Sequence, residues 1–382
     1  MMKKANLRAA ETDGAWIEIN LNNLKHNVKT LKSAMPQGCD LMAVVKANAY
    51  GHGALQISEC INRMGVKAFA VASIDEGIEL RRHGITGEIL ILGFTSPAQT
   101  RELHKYKLTQ TLIDYDYAAA LNGQGYNIKA HVKIDTGMHR LGFESTDTEA
   151  IAKAFALRHI EISGIYTHLC VSDSLAAQDI DFTHTQIRRF YSSLDGLKER
   201  GIKIPKTHIQ SSYGFLNYPE LNCDYIRAGV ALYGILSSPM NATKLRLDLR
   251  PVLSLKSKII LIRQVKCGES VGYGRSFITE KNSRIAIISI GFADGFPRNL
   301  SCNNSAVLIG GQRAPVVGKI CMDYLAVDIT DIDNVCAGDI ATLIGKDGND
   351  ELCAAAVAEN ANSITSELLS RMGGRLKIAA KN

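Results

Sequence analysis

The chain has 382 residues, of which 46% are hydrophobic and 21% are charged. These proportions are those of ordinary globular proteins, and the length predicts two or three domains around a sizeable core. The formal net charge of +6 comes from scattered basic residues without a run of five, which argues against nucleic acid as a partner. No stretch approaches the roughly 20 apolar residues of a membrane span, so we expect no membrane contact from this chain.

Nine cysteines occur in the chain, an odd number with no C-x-x-C spacing. Most lie in apolar surroundings, which favours buried, reduced thiols over disulfides or metal ligands. We therefore expect a reducing compartment, the cytoplasm, and no metal site. Residues 1–14 are polar, lack the apolar segment of a signal peptide, and are predicted to be an N-terminal tail.

Residues 15–245 alternate between short apolar runs and amphipathic segments, in roughly eight strand–helix units. The first run is Trp16-Ile17-Glu18-Ile19, and either Asn20 or Asn22 can cap the helix that follows. The other predicted strands span residues 41–45, 68–72, 89–93, 111–113, 130–134, 160–166, 206–210 and 225–230. This count is typical of a (β/α)8 barrel.

Residues 246–382 follow a different pattern, in which turns separate β-rich runs. The predicted strands span residues 253–265, 286–290, 306–309, 315–320, 325–329 and 340–344, and a last helix is predicted near residues 351–369. The sequence therefore predicts an α/β protein in which a TIM-like (β/α)8 barrel is followed by a mainly-β C-terminal domain.

One stretch of the barrel region carries a candidate catalytic lysine. Lys46 ends the apolar run 41–45, and two glycines follow at residues 51 and 53, so the lysine lies where a buried strand leaves the core. In (β/α) enzymes that rim carries the chemistry, and partial desolvation there lowers the pKa of a lysine. A neutral amine is what a Schiff base to an aldehyde cofactor requires. Taken alone, the stretch is better explained by an ordinary solvated lysine, with Tyr50 packing locally, than by a Schiff-base lysine.

Seven motifs together are far more specific than any one of them. In chain order they are A-V-V-K-A-N-A-Y-G-H-G, K-I-D-T-G-M-H-R-L-G, Y-T-H, I-R-A-G-V-A-L-Y-G, G-Y-G-R-S-F, G-F-A-D-G and G-K-I-C-M-D. In these motifs, and in their order and spacing from about Ala15 to Leu376, the chain resembles the alanine racemase family of fold-type III enzymes. The resemblance implies pyridoxal 5'-phosphate as cofactor and a small amino acid as substrate.

The resemblance implies a cofactor site at the rim of the barrel, with Lys46 as the Schiff-base lysine. Glycine there permits the close backbone approach that phosphate oxygens need. The other implied cofactor-binding residues are Tyr50, Ser212, Gly229 and Val230 at the phosphate, His168 beside the pyridine ring, and His208, which orients the partner of the ring nitrogen. On the sequence alone, Ser212 could also cap a helix, and each histidine is more often an ordinary strand-end residue.

Arg227 is the residue that best identifies the chemistry, because it resembles the arginine that faces the pyridine nitrogen. Guanidinium only donates hydrogen bonds and keeps its proton, so the ring nitrogen opposite it must accept and stay unprotonated. An unprotonated ring is a weaker electron sink, which favours return of the proton to the α-carbon over transamination. The alternative is a surface salt bridge, which the apolar neighbours of Arg227 make a poorer fit.

Racemisation needs a base on each face of the substrate. The resemblance implies Lys46 on one face and Tyr273 on the other, although tyrosine's ordinary pKa of about 10 requires tuning by nearby charge. In the family this tyrosine comes from the partner subunit, together with Met322 and Asp323 at the substrate carboxylate. A head-to-tail homodimer is therefore expected as the smallest complete catalyst. Without the resemblance, Gly-Tyr-Gly would be a turn with an exposed tyrosine.

Two basic residues of the second motif complete the implied substrate site. Arg140 resembles the arginine that binds the cofactor phenolate and the substrate carboxylate. Lys133 matches a lysine that is often carbamylated in this family, and a carbamate would turn a buried cation into an anion able to hold Arg140. The alternative for Lys133 is an ordinary ion pair with Asp135.

The entrance and pocket positions show where the chain departs from the family. Ser366 stands where the family normally has the tyrosine that closes the substrate pocket, which implies a larger and more polar pocket. Racemases associated with vancomycin-type resistance also lack this tyrosine and handle serine as well as alanine. The entrance residues are Asp173, Phe292 in place of a usual tyrosine, Arg298, Lys319 in place of a common arginine, and Ile364.

The expected activity is therefore interconversion of L- and D-alanine, and of L- and D-serine, supplying D-amino acids for peptidoglycan precursors. The alternatives are a fold-type III decarboxylase, which would place a carboxylate rather than Arg227 at the ring nitrogen, or a non-catalytic pyridoxal-phosphate carrier, which has only the barrel. The resistance-type relatives carry a membrane domain before the racemase part. The chain is thus expected to be a cytoplasmic protein or the cytoplasmic domain of a membrane-anchored one.

Overall fold

The computed structural model describes residues 14–237 and 242–381. The predicted tail, residues 1–14, lies outside the described residues apart from Gly14. The chain opens with strand β1 (Trp16–Asn20) and helix α1 (Leu21–Ala34). Asn20 caps α1, because its side-chain oxygen accepts the backbone N–H of Asn23 at 3.0 Å.

Eight parallel strands form the barrel, paired in the order β10-β2-β3-β4-β5-β6-β8-β9. Their bounds in chain order are β2 (Asp40–Val44), β3 (Ala68–Val71), β4 (Glu88–Ile91), β5 (Thr109–Leu112), β6 (Ile128–Asp135), the short β7 (Phe143–Glu144) beside β6, β8 (Ile160–Tyr166), β9 (Lys206–His208) and β10 (Tyr225–Ala228). Two backbone hydrogen bonds join β10 to β9, the two ends of this order. The N–H of Asp224 donates to the carbonyl of Thr207 at 2.9 Å, and the N–H of Arg227 donates to the carbonyl of Gln210 at 3.0 Å. The predicted (β/α)8 barrel is confirmed.

Helices surround the barrel and connect its strands. They are α2 (Lys46–Tyr50), α3 (Ala54–Arg63), α4 (Ile74–Arg82), α5 (Thr100–Lys105), α6 (Tyr115–Asn122), α7 (Thr148–Phe155), α8 (Ala177–Glu199) and α9 (Ser212–Asn217). Ser73, Asp114 and Asp147 cap three of them through side-chain oxygens, as short polar residues do at helix starts. Among the helices of the described chain, none is both long and apolar enough to cross a membrane.

The C-terminal part is a mainly antiparallel β-domain. Its elements are β11 (Leu253–Val265), β12 (Ser270–Val271), β13 (Phe277–Ile278), β14 (Ser283–Ile288), β15 (Ala306–Ile309), β16 (Gln312–Val317), β17 (Leu325–Asp328), β18 (Ile340–Asp347), β19 (Asp350–Leu352), α10 (Ala354–Asn360), α11 (Thr365–Arg371) and β20 (Lys377–Lys381). The long strand β11 pairs with β14 over one part and with β18 over another, on either side of an irregularity near residues 259–261. This double pairing closes the circuit β11-β14-β17-β16-β15-β18.

Two elements differ from the sequence-based expectation. Strand β1, counted with barrel residues 15–245, pairs antiparallel with β11 and parallel with β20, so it belongs to the C-terminal sheet. The helix predicted near 351–369 is two helices, because Asn362 adopts a left-handed conformation with φ of 52° and ends α10. The second helix, α11, then packs against the barrel, where a Cβ on Gly51 would lie only 2.0 Å from the Leu369 carbonyl oxygen.

Candidate active site

A cavity of about 370 Å³ opens at the carboxyl ends of the barrel strands. In (β/α)8 enzymes the loops at this end carry the active site. Its walls come from the ends of β2, β3, β4, β6, β8, β9 and β10, with Ser366 of α11 from the C-terminal domain. The predicted site residues that line it are Lys46, Tyr50, Lys133, Arg140, His168, Ser212, Arg227, Gly229, Val230 and Ser366.

The cavity is strongly cationic. Lys46, Lys133, Arg140 and Arg227 all line it, and none of the described lining residues is an aspartate or glutamate. Unpaired positive charge in a concave site attracts anions such as phosphate and carboxylate groups. The arrangement therefore suits a ligand with two or more anionic groups.

Lys46 begins α2, which is a single left-handed turn. Residues 47–50 all have positive φ, between 51° and 55°. This conformation costs a residue other than glycine roughly 1–2 kcal/mol, so neighbouring groups must hold it. The carboxylate of Glu76 accepts the backbone N–H of Ala47 at 2.7 Å and that of Ala72 at 2.6 Å, which ties the turn to the end of β3.

The surroundings of Lys46 favour its neutral amine. Burial lowers the pKa of Lys46, and the positive charge of Arg140 lowers it further, while Glu76 acts weakly in the opposite direction. A lowered pKa increases the fraction of Lys46 that is the neutral, nucleophilic amine at a given pH. The position of Lys46 at a strand end predicted its partial desolvation, and the structure shows this desolvation.

Tyr50, Ser212 and Gly229 form a small cradle at one end of the cavity. A Cβ on Gly229 would lie 2.7 Å from the Tyr50 hydroxyl oxygen, so only glycine leaves this space open. Ser212 Oγ accepts the backbone N–H groups of Gly229 at 3.0 Å and Ala231 at 3.2 Å, which leaves its own O–H to donate elsewhere. Burial raises the pKa of Tyr50 to about 12, so its hydroxyl keeps its proton and donates.

Arg227 forms part of the cavity wall and is only 4% exposed. Its Nη1 lies 2.8 Å from His208 Nδ1, and its Nη2 donates to the carbonyl oxygens of Thr167 at 2.7 Å and Ile209 at 2.9 Å. Burial lowers the pKa of Arg227 to about 10, which still leaves it charged at neutral pH. His208 itself lies behind Arg227 and is not among the lining residues, in keeping with an orienting role.

The pKa values of His168 and Lys133 both lie below the usual values of these side chains. Burial, followed by the charges of Arg227 and Arg140, lowers the pKa of His168 to about 3, so its ring is neutral. Its Nδ1 accepts a hydrogen bond of 3.3 Å from Arg227. Burial, with Arg140 and Arg227, lowers the pKa of Lys133 to about 8, against a weaker opposite effect of Asp135.

Apart from Ser366, the predicted residues of the C-terminal domain do not line the cavity of this chain, and most of them form a second group. Tyr273 is 67% exposed, and Met322 is also largely exposed. The loops that carry them are adjacent, since Phe292 N–H donates to the carbonyl of Cys321 and a Cβ on Gly274 would lie 3.3 Å from Lys319 Nζ. The remaining members of this region are Asp323, which pairs with Arg375 at 2.8 Å, and Arg298. The chain thus presents a cavity and, on its other domain, an exposed group of apolar and charged side chains.

The last predicted positions lie around the cavity mouth. Ile364 is exposed at the start of α11, two residues before Ser366. Asp173 is half-buried, and its charge contributes to raising the pKa of Tyr213, behind the larger effect of burial. The predicted entrance residues are therefore divided between the cavity mouth and the exposed group.

Sequence reasoning missed three side chains of the site. Tyr166 lines the cavity and stacks on His208 with ring centroids 4.6 Å apart, and Tyr213 also lines it. Tyr166 begins the Y-T-H motif and Tyr213 directly follows the predicted residue Ser212, which was an available signal. Glu76 carried no signal, because an acidic residue in the first turn of a helix is ordinary.

The fold and the cavity define a class of protein, a (β/α)8 barrel with a cationic site and a buried lysine at its carboxyl end, followed by a β-domain. Residues 19–237 match the alanine racemase N-terminal domain, and residues 252–380 match the alanine racemase C-terminal domain. The chain belongs to the alanine racemase family.

Several relatives resemble the chain over nearly its whole length. An amino-acid racemase of Enterococcus faecalis is 59% identical over 98% of this chain and 53% of that protein. A serine/alanine racemase of Enterococcus gallinarum is 40% identical over 95% of this chain and 51% of that protein. The structure of a Clostridium difficile alanine racemase in complex with cycloserine is 34% identical, with a TM-score of 0.89 over 97% of this chain and 96% of that one. The chain spans about half the length of these two Enterococcus relatives.

Proposed function

We propose that the chain is a pyridoxal-phosphate-dependent racemase that interconverts the enantiomers of alanine and of serine. The observation that carries the proposal is the buried guanidinium of Arg227 in the wall of a cationic cavity that also contains Lys46. Measurement of kcat/KM for L-alanine and L-serine on the purified protein, with and without added pyridoxal phosphate, tests it. Absence of racemisation of both amino acids by the cofactor-loaded protein would reject it.

The residues present fit pyridoxal phosphate. The space above Gly229, which a Cβ would fill, together with the donors Tyr50 and Ser212 and the backbone of Val230, suits a phosphate group. Neutral His168 suits the face of an aromatic ring, and Arg227 suits a ring nitrogen that accepts a hydrogen bond. When bound, this cofactor supplies an aldehyde carbon for the amino group and a ring that draws electrons from the α-carbon.

The chain's own side chains would then move the protons. Lys46 would hold or release a proton on one face of the substrate α-carbon, since its surroundings already favour the neutral amine. Tyr273 of the partner subunit would serve the opposite face, with Met322 and Asp323 at the substrate carboxylate. Arg140 lines the same cavity and would bind that carboxylate from the barrel side.

A head-to-tail homodimer is part of the proposal, because the cavity of one chain lacks Tyr273. The exposed group includes the large side chains of Tyr273, Phe292 and Met322, and clusters of exposed large hydrophobic side chains mark contacts between proteins. Placing this group over the cavity of a second copy would bury it and complete two identical sites. The domain division at residues 15–245 and 246–382 is part of the same proposal, with β1 paired to the C-terminal sheet and Ser366 contributed to the cavity of its own chain.

We also propose a location and a role for the product. The nine cysteines are all unpaired, which supports a reducing compartment such as the cytoplasm. The D-amino acids would supply peptidoglycan precursors, and the similarity to a serine/alanine racemase of Enterococcus gallinarum supports serine as a second substrate. The decarboxylase alternative is less well supported, because Arg227 rather than a carboxylate faces the cavity.

The variant Ser366→Tyr should change substrate preference. Ser366 lines the cavity, and its small hydroxyl leaves room for the hydroxymethyl group of serine and can bond it directly or through water. Tyrosine would fill that space, and discrimination by added bulk is typically about 10- to 200-fold. We expect kcat/KM for serine to fall at least about tenfold relative to alanine, measured with both substrates on one preparation.

Retention of alanine turnover by Ser366→Tyr is the internal control, and Ser370→Tyr on an exposed face of the same helix is the matched variant. That second variant should leave the serine-to-alanine ratio unchanged. An unchanged ratio in Ser366→Tyr, with cofactor bound, would mean that Ser366 merely packs or caps.

Lys133 is expected to carry a carbamate. Carbamate formation requires a neutral amine, which a pKa of about 8 makes accessible near neutral pH. The product would be an anion among Lys46, Arg140 and Arg227, where it replaces repulsion by attraction. Incubation with carbon-13-labelled bicarbonate should give a carbamate carbon signal that is lost in Lys133→Gln. Persistence of the signal in that variant would place the modification elsewhere.

A further inference from the structure

A chain of buried polar side chains runs from the cavity wall into the barrel core. Arg227 Nη1 lies 2.8 Å from His208 Nδ1, and His208 Nε2 lies 2.9 Å from His131 Nδ1. His131 Nε2 in turn lies 3.0 Å from a carboxylate oxygen of Glu88. Both histidines are fully buried, and the side chain of Glu88 is 18% exposed. Four side chains from four strands thus form one continuous series of hydrogen bonds.

The series reaches the far end of the barrel. The second carboxylate oxygen of Glu88 accepts the hydroxyl of Tyr225 at 3.0 Å, and that hydroxyl accepts Lys206 Nζ at 2.7 Å. Glu88 and Lys206 begin their strands, β4 and β9, so this end lies opposite the cavity. Hydrogen bonds run towards Glu88 from both sides, which makes its carboxylate the common acceptor.

The cavity end determines how the histidines are protonated. A guanidinium only donates, so His208 Nδ1 must accept from Arg227. Burial, with the charge of Arg227 and the proximity of His131, lowers the pKa of His208 well below its usual value, so the ring is neutral with its proton on Nε2. That N–H donates to His131 Nδ1, so the proton of His131 lies on Nε2, facing Glu88.

Glu88, at the other end of the series, requires the same protonation of the two histidines. Burial raises the pKa of Glu88. Hydrogen bonds from His131 and Tyr225 and the charge of Lys206 lower this pKa more strongly, so the carboxylate is ionised. An ionised carboxylate only accepts hydrogen bonds. A donor in its place would reverse both imidazoles and direct an N–H of His208 at the guanidinium of Arg227.

We propose that Glu88 is a positioning residue that holds His131 and His208 in their Nε2–H tautomers and thereby gives Arg227 a permanent acceptor. Arg227 is then fixed in orientation beside the cavity by His208 together with the carbonyl oxygens of Thr167 and Ile209. The consequence for catalysis rests on the proposed racemase function, in which Arg227 faces the ring nitrogen. The assignment of the histidine tautomers does not rest on that function.

Nitrogen-15 NMR of the histidine side chains in the pyridoxal-phosphate-loaded protein tests the tautomers without an activity assay. We expect His208 and His131 each to show an unprotonated Nδ1 and a protonated Nε2, with the His131 signals assigned by their loss in His131→Gln. A protonated Nδ1 on His208, or a doubly protonated ring on either residue, would overturn the proposal. The expected tautomers in a protein without racemase activity would reject the proposed function and leave this assignment standing.

Glu88→Gln tests the causal role. The amide oxygen is needed by the Tyr225 hydroxyl, so the NH2 group turns towards His131 and favours the reversed tautomers. We expect the Nδ1–H form of His208 to appear and kcat to fall about tenfold or more with little change in KM, as when the partners of metal-bound histidines are removed. A folded Glu88→Gln protein with unchanged His208 tautomer would refute the proposal.

Two further variants keep the result interpretable. Glu88→Asp retains an ionised acceptor and should keep the tautomers even if its shorter side chain lowers stability. Glu161→Gln removes a carboxylate near the start of β8, where Glu161 is exposed and lies 3.4 Å from Lys129. This control should alter neither the His208 signals nor kcat, and a fall in kcat equal to that of Glu88→Gln would point to a general charge effect and contradict the proposal.

Discussion

Lys46→Ala is expected to abolish the yellow colour of the cofactor-loaded protein together with its racemase activity. Burial and the charge of Arg140 make the Lys46 amine available to a carbonyl carbon, and the remaining lining lysine, Lys133, belongs to a different strand. Removal of a positioned proton-transfer group alone typically costs about 10²- to 10⁴-fold, so we expect at least about a thousandfold loss. The measurements are the visible absorbance after incubation with pyridoxal phosphate and the rate of conversion of L- to D-alanine.

Lys129→Ala is the matched control, because Lys129 is exposed at the start of β6, away from the cavity. It should keep both the colour and the activity. Cofactor uptake by the wild-type protein should rise with pH as Lys46 loses its proton, and should level off at a lower pH than for an ordinary lysine, since its pKa is lowered. A wild-type protein that stays colourless after incubation with pyridoxal phosphate would count decisively against the site.

Tyr273→Phe is expected to abolish proton abstraction from the L-enantiomer while cofactor binding is retained. The substitution removes one hydroxyl from a side chain that does not line the cavity of its own chain. Loss of a general base typically slows a reaction about 10²- to 10⁴-fold. Exchange of the α-proton of D-alanine in heavy water should survive, because Lys46 serves that face. Equal loss of exchange for both enantiomers would reject the assignment of two bases.

Tyr324→Phe provides the control for this variant, since Tyr324 is another exposed tyrosine of the same domain. It should leave both exchange reactions intact. A substantial loss of L-specific exchange in this variant as well would show that the effect in Tyr273→Phe is not specific to its hydroxyl.

Mixing two inactive proteins tests whether the site is shared between subunits. A heterodimer of Lys46→Ala and Tyr273→Phe chains has one site with both bases intact, if Tyr273 comes from the partner subunit. Random assembly makes about half of the dimers mixed, so we expect about a quarter of the wild-type activity. If heterodimers form and activity does not return, the shared-site arrangement is wrong.

Local patterns were sufficient for most of the fold. Most barrel strands are short, largely buried runs followed by turn residues and an amphipathic helix, so their order could be read from the sequence, although the nine predicted runs exceeded the eight barrel strands by one. Strand β1 has the same local pattern, yet its partners are Leu253–Val265 and Lys377–Lys381. No property of residues 16–20 distinguishes a barrel strand from a strand of the other sheet, because hydrogen-bond partners far along the chain decide between them.

The candidate site, like the fold, was predicted only in part from the sequence. Residues that follow barrel strands predicted about half of the cavity lining, since the carboxyl ends of parallel strands meet at one edge. Among the side chains that hold those residues, His208 was predicted from the resemblance, but Glu76 and Glu88 were not. Glu76, which secures the left-handed turn after Lys46, is an ordinary first-turn acid in the sequence. Its role depends on two backbone N–H groups that only the folded chain places within reach.

The sequence by itself determined the residue types that the proposed chemistry needs: a lysine at a strand end, a donor-only arginine and a glycine that leaves space for the proposed phosphate group. These are local properties of short motifs. Only the tertiary structure decided that β1 joins the C-terminal sheet, and that Glu88 ends a series of hydrogen bonds beginning at Arg227. His131 and Glu88 are 43 residues apart on different strands. Their contact arises because the strands of a closed barrel direct distant side chains into one core.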